Sequence, residues 1–202
     1  MPVISLFMRY LIFIFIALFL GCIGERGDTG DTLVSEEKMS KIVVLETSMG
    51  DIEISLDEEK APVTVKNFLS YVDEGAYDGT VFHRVISDFM IQGGGFTVKG
   101  DKMPTKDPIR LESQNGLKNK NMTVAMARTN IPDSATNQFF INVKDNTNLD
   151  FAPGNPGYAV FGEVVSGQET VMKIKDVPTT TKGYRRDWPV TEVVIKKAYV
   201  KE

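Results

Sequence analysis

From Lys41 to the C-terminus, apolar residues fall in short runs rich in β-branched and aromatic side chains, broken by Gly, Pro, Asn and Asp. That pattern predicts strands joined by turns. Runs at 41–47 and 51–56 are separated by Ser48-Met49-Gly50, a hairpin signal, and further runs lie at 81–86, 89–92, 123–128, 138–143, 159–165 and 190–200. Two stretches carry helical spacing instead. Pro62 suits a first helical position, and Val65, Phe68, Leu69 and Val72 recur on one face until Gly75 ends the run. Positions 168–174 form the second, with Val171 and Ile174 on one side. Eight strands and two helices predict a mainly β chain, a closed eight-stranded antiparallel β-barrel capped by two α-helices, because closure leaves no exposed strand edge.

The N-terminus follows a different pattern. Arg9 precedes an unbroken apolar run from Tyr10 to Leu20, followed by Gly21-Cys22. The run is too short to span a bilayer comfortably, and a positive flank, an apolar stretch and a small residue describe a secretory signal. A small residue before a cysteine at the end of such a run resembles the lipobox of secreted lipoproteins, although Phe19 and Leu20 fit it imperfectly. Residues 1–21 are therefore expected to be a signal peptide, with Cys22 as the lipidated N-terminus. Positions 22–40, dominated by Gly, Asp, Glu, Thr and Ser, are expected to be a flexible linker to a domain at 41–202. The implied location is outside the cytoplasm and tethered to a membrane.

Composition narrows the chemistry. The chain has one Cys, so no intrachain disulfide can form, and one His, so no zinc or transition-metal set can be assembled from the usual ligands. Its net charge is −4. Loss of 1–21 would remove Arg9 and no carboxylate, and no basic patch suggests nucleic acid. Lys118, Lys120 and Arg128 read most simply as a solvated face. No Gly-x-Ser-x-Gly motif accompanies His83, and Gly93-Gly94-Gly95 lacks the Lys-Ser/Thr of a phosphate loop. The three glycines fit a close backbone approach where a strand leaves a barrel. Asn121-Met122-Thr123 matches a glycosylation sequon by chance frequency alone.

Three segments remain distinctive: "FHRVISDFMIQGGGF" at 82–96, "MARTNIPDSATNQFFINVKDNTNLDF" at 126–151 and "GYAVFGEVVSGQETVMKI" at 157–174. In this order they resemble the cyclophilins, the peptidyl-prolyl cis-trans isomerases, and "NGLKNKNMTVAMART" with Tyr158 is similar to the bacterial type. The resemblance covers about Lys41 to Glu202. It implies a groove on the barrel wall in which Arg84 is the catalytic donor and Gln92 a second catalytic contact to the substrate backbone. It places Phe89, Met90, Phe140 and Leu149 around the proline ring, and Ala127, Gln138, Tyr158 and His83 among the substrate-binding positions. Read from residue type alone, His83 is more simply a structural group at a strand end. The implied partners are proline-containing segments of unfolded or secreted proteins. No cofactor is implied, and a barrel of this size needs no partner subunit, so a monomer is expected.

The sequence departs from the family at two places. Asn148 stands where many cyclophilins carry Trp or Phe, so the ring packing and indole donor that hold cyclosporin are missing and weak binding is expected. The family's Ala-Asn-Ala stretch reads Ala127-Arg128-Thr129, which adds a charge. The rival readings are a holdase that grips proline segments without turning them over and a surface adhesin. An arginine kept inside an apolar groove argues for catalysis.

Overall fold

The computed structural model describes residues 40–202. The signal, lipidation and linker expectations for 1–39 lie outside the described residues. The chain runs β1 (Ile42–Thr47), β2 (Gly50–Leu56), α1 (Pro62–Asp73), β3 (Thr80–Val81), β4 (Arg84–Ile86), β5 (Met90–Gly93), β6 (Thr123–Met126), β7 (Phe139–Asn142), β8 (Val160–Ser166), α2 (Gln168–Lys175), β9 (Thr179–Lys182), β10 (Arg185–Pro189) and β11 (Val194–Val200).

Alternation decides what each strand buries. In β2, Ile52, Ile54 and Leu56 are buried, while Asp51 is exposed and Glu53 and Ser55 only partly covered. The same core receives Val43 and Leu45 from β1, Val65, Phe68 and Val72 from α1, and Val171 and Ile174 from α2. At its centre the Phe68 ring lies 5.2 Å from Tyr77, 5.5 Å from Phe139 and 5.0 Å from Phe161. Such ring pairs add to the area they bury. Helix α1 starts at Pro62 without a local side-chain cap. Its free N–H groups are met from far along the chain, where the Glu112 carboxylate accepts from the backbone of Val63 and Thr64 and from the Thr64 hydroxyl.

The closed eight-stranded barrel is not what forms. Nine strands hydrogen-bond in the open order β3-β11-β1-β2-β8-β6-β7-β5-β4, and β9 and β10 make a separate two-stranded ribbon. The run at 81–86 breaks into β3 and β4 because Phe82 and His83 leave the ladder, with the Phe82 N–H donating to Val193. The two halves pair at opposite edges, β3 with β11 and β4 with β5. Cross-links flank this seam, the Val81 N–H donating to the Phe96 carbonyl and Thr80 bridging Thr97. The β10 strand packs beside β4 and covers that edge. The run at 190–200 likewise begins its strand only at Val194.

No apolar alternation announces the ribbon. Thr179, Thr180 and Thr181 are exposed, and Arg185-Arg186-Asp187 gives no apolar alternation. Its anchor is Trp188, 1% exposed, which lies 6.0 Å from Phe96 and 6.1 Å from His83. Arg185 lies 4.1 Å above the Phe96 ring, and Lys182 lies 4.6 Å above Trp188.

Candidate functional site

The register of the sheet assembles the site. Arg84 stands opposite Gln92, Gln92 opposite Phe140, and Phe140 opposite Ala125, so these residues form one row across β4, β5, β7 and β6. Directly opposed residues share a face. The adjacent row, Val85, Ile91, Ile141 and Val124, faces the other way and joins the main core. One alternation therefore places apolar groups inside and an arginine and an amide outside, beside a separate apolar cluster of Met90, Ala125, Phe140 and Val160.

On that outer face lies a cavity of about 110 Å³ lined by Arg84, Phe89, Met90, Gln92, Ala127, Arg128, Phe140, Leu149 and Tyr158. A larger cavity of about 450 Å³ opens elsewhere, lined by Lys60, Lys118, Lys120, Asp57, Glu163 and neighbours, and contains none of the residues expected at a site. The smaller cavity brings together most of the residues expected at the site. Its floor is Phe140, met edge-on by Tyr158 at 5.6 Å between ring centres. The Arg84 guanidinium is half-exposed, and its Nε lies 3.8 Å from the Asp187 carboxylate on the ribbon. Asp187 holds a positive φ of 60°, a conformation that Asp tolerates better than most residues.

Gln92 Nε2 donates to Gln138 Oε1 at 2.8 Å. Gln138 does not line the cavity; it stands behind Gln92 and fixes its amide. Gly95 gives it room, since a Cβ there would lie 2.6 Å from the Gln138 Cδ. Gly94 has a φ of +80°, and a Cβ on it would lie 2.7 Å from the Tyr77 ring. The triple glycine is thus a close backbone approach behind the site.

His83 is placed differently from the substrate-binding role the resemblance implied. It is 5% exposed, lies outside the cavity lining and meets the Phe96 ring edge-on at 4.7 Å. Phe82 and His83 leave the sheet between its two edges, which turns the imidazole beneath the ribbon. Its Nδ1 is buried without a hydrogen-bond partner. Burial lowers its pKa from 6.5 to about 4, with Arg185 and Arg84 acting in the same direction and hydrogen-bonding groups of Val81 and Gln138 opposing.

A layer of buried asparagines supports the cavity, and the residue types alone did not single it out. Asn146 Nδ2 donates to the Phe89 carbonyl at 2.7 Å and to Asn142 Oδ1 at 2.8 Å. Asn119 Nδ2 donates to the Leu149 carbonyl at 3.1 Å, and Asn142 donates to Asn119. Two lining residues on loops are thereby tied to the sheet. The density of Asn in "NGLKNKN" and "NVKDNTN" is the trace of this in the sequence.

Comparison with known proteins agrees with this geometry. The family model for cyclophilin type peptidyl-prolyl cis-trans isomerases matches residues 42–200. A peptidyl-prolyl cis-trans isomerase of Streptomyces antibioticus is 56% identical over 161 residues, covering 78% of this chain and 97% of its own. Peptidyl-prolyl cis-trans isomerase B of Escherichia coli K12 is 51% identical over 164 residues, covering 80% of this chain and all of its own. A cyclophilin type isomerase of Cryptosporidium parvum, crystallised in the presence of the dipeptide Ala-Pro, superposes with a TM-score of 0.66 at 27% identity, over 80% of this chain and 99% of its own. The chain belongs to the cyclophilin-type peptidyl-prolyl cis-trans isomerases and is an isomerase enzyme.

Proposed function

We propose that the Arg84–Gln92–Phe140 row turns over Xaa-Pro bonds of proteins folding outside the cytoplasm. Rotation about such a bond breaks amide resonance, against a barrier of about 20 kcal/mol. No covalent bond is made, so no nucleophile is required. In the twisted transition state the prolyl nitrogen becomes pyramidal and regains its lone pair, and a donor aimed at it favours that state over the planar one. Arg84 supplies the donor. Its guanidinium stays charged across the physiological pH range and presents a fork that can also hold a carbonyl.

Phe140, Met90, Phe89 and Leu149 take the proline ring, while Ala127 and Tyr158 close the wall. Gln92, steadied by Gln138, donates to the peptide backbone. Acceleration of about 10⁵-fold needs roughly 7 kcal/mol of differential stabilisation, more than one charge-assisted bond supplies. Desolvation of the ring and anchoring on both sides of the rotating bond provide the rest. The observation that carries this reading is the register that sets Arg84, Gln92 and Phe140 in one row. The Ala-Pro dipeptide present with the Cryptosporidium protein supports a proline-containing ligand.

The extracytoplasmic, lipid-anchored setting rests on the apolar run and Cys22. Mass spectrometry of the mature N-terminus and membrane fractionation of a Cys22→Ser variant test it. The activity is tested by NMR exchange of a short Xaa-Pro peptide with the full chain in mild detergent. Arg84→Ala should slow catalysed exchange at least about tenfold, the loss of one charge-assisted contact to the transition state. Arg84→Lys should recover only part, because a point charge lacks the fork. Parent-like exchange in a folded Arg84→Ala would remove Arg84 from the mechanism.

A further inference from the structure

We propose that Arg128 makes the pocket selective for proline segments that carry a carboxylate side chain next to the proline. This builds on the isomerase reading and adds a substrate class to it. The cavity is lined by two guanidiniums, those of Arg84 and Arg128, and by no carboxylate. Arg84 has a counter-charge in Asp187 at 3.8 Å. Arg128 has no carboxylate partner among the described residues.

The Arg128 side chain is held in place before any substrate arrives. Its Nε donates to the Gly157 carbonyl at 2.9 Å, its Nη1 donates to the Thr129 carbonyl at 2.8 Å, and its Cζ lies 4.5 Å above the Tyr158 ring. Neutral carbonyls and a ring face fix the cation without cancelling its charge, and the remaining N–H donors stay available. A long side chain already ordered in this way loses little rotamer freedom when it meets a ligand. Arg128 is also half-buried, so its field is weakened less by solvent than that of an exposed lysine.

Its position separates its role from that of Arg84. Across the sheet the order is β6, β7, β5, β4, with Phe140 on β7, Arg84 on β4 and Arg128 just beyond β6. The strand spacing puts three steps, about 14 Å, between β4 and β6, and Arg128 lies two residues past the end of β6. A proline ring over Phe140 that offers its nitrogen to Arg84 therefore leaves Arg128 facing an adjoining residue. A carboxylate there meets an unpaired, pre-ordered guanidinium; an ammonium there is repelled.

The test uses the full chain in mild detergent and end-blocked Xaa-Pro peptides, a neutral Ala-Pro peptide and variants with Glu or Lys placed directly before or directly after the proline. Values of kcat/KM come from NMR exchange at low and high salt. At one or both positions the Glu peptide should exceed the Lys peptide by about threefold or more at low salt, with the ratio shrinking at high salt. Arg128→Gln should bring the ratio close to one, Arg128→Lys should keep part of it, and Arg128→Glu should reverse it. A role confined to pinning the Gly157 and Thr129 loops would change all three peptides alike. A parent ratio near one at both positions, or a ratio unchanged in a folded Arg128→Gln, overturns the proposal. Should Arg128→Gln fail to fold, the parent's salt dependence and the Arg128→Lys ratio decide. Failure to catalyse even the neutral Ala-Pro peptide would sink the isomerase reading itself, a result distinct from catalysis without charge preference.

Discussion

His83 sits in the core as a neutral imidazole, and this has a cost in acid. With a pKa of about 4 when folded against 6.5 for the ordinary side chain, the unfolded chain binds a proton between these values that the folded chain does not. Its contribution is therefore fully present above pH 6.5 and is lost as pH falls toward 4, amounting to about 2 kcal/mol between pH 7 and pH 5. Urea unfolding at those two pH values should show the loss, and His83→Phe should flatten the slope; an equal slope in both proteins would reject the assignment. Isomerisation should not follow this titration, because Arg84 lines the cavity and His83 does not. Asn148 offers a second test at this scale. It is exposed in the short 3-10 turn Thr147–Leu149 and has no ring to place over a bulky ligand. Cyclosporin should bind more weakly than about 1 μM, the loss of aromatic packing and an indole donor being the cause; submicromolar affinity by calorimetry would refute this.

The end of β5 shows how two neighbouring glycines separate stability from function. Gly94→Ala forces a side chain into a positive φ and against Tyr77 and the Asn137 carbonyl, and should cost about 1–3 kcal/mol. In Gly95→Ala the atoms nearest the added Cβ all belong to the flexible Gln138 side chain, which can move, but the movement breaks its bond to Gln92. The expected outcome is a smaller loss of Tm with a drop of about tenfold in kcat/KM, from a displaced positioning group. Equal Tm losses with unchanged rates would show that Gln138 does not position Gln92. The short strands and both helices are legible from alternation and helical spacing, and the motifs single out Arg84, Gln92, Phe89, Met90, Phe140 and Leu149, which line one cavity. The open edge is not legible, because only tertiary pairing reveals that Phe82 and His83 step out of the ladder. Nor is the ribbon, whose threonines and arginines carry no strand alternation and whose one deep anchor is Trp188. The asparagine layer escaped because a polar residue in a loop reads as solvated until its burial is known.

At the scale of the molecule, the inner face of the sheet, α1 and α2 share one core, while the site uses a smaller cluster on the outer face. Phe68→Ala removes the ring that touches Tyr77, Phe139 and Phe161 and should cost about 3–5 kcal/mol. Since β5 and β7 contribute to both faces, the loss should appear as one lowered transition in urea by circular dichroism and by catalysed exchange together. Two separate midpoints would mean that the core and the site unfold independently. The ribbon adds a property of practical use. Trp188 is the sole tryptophan of the chain, is shielded from water, and stands next to the aspartate that faces Arg84. The protein thus contains a native fluorophore one residue from the counter-charge of Arg84, and a change in its emission on adding a proline peptide would report ribbon displacement without any label.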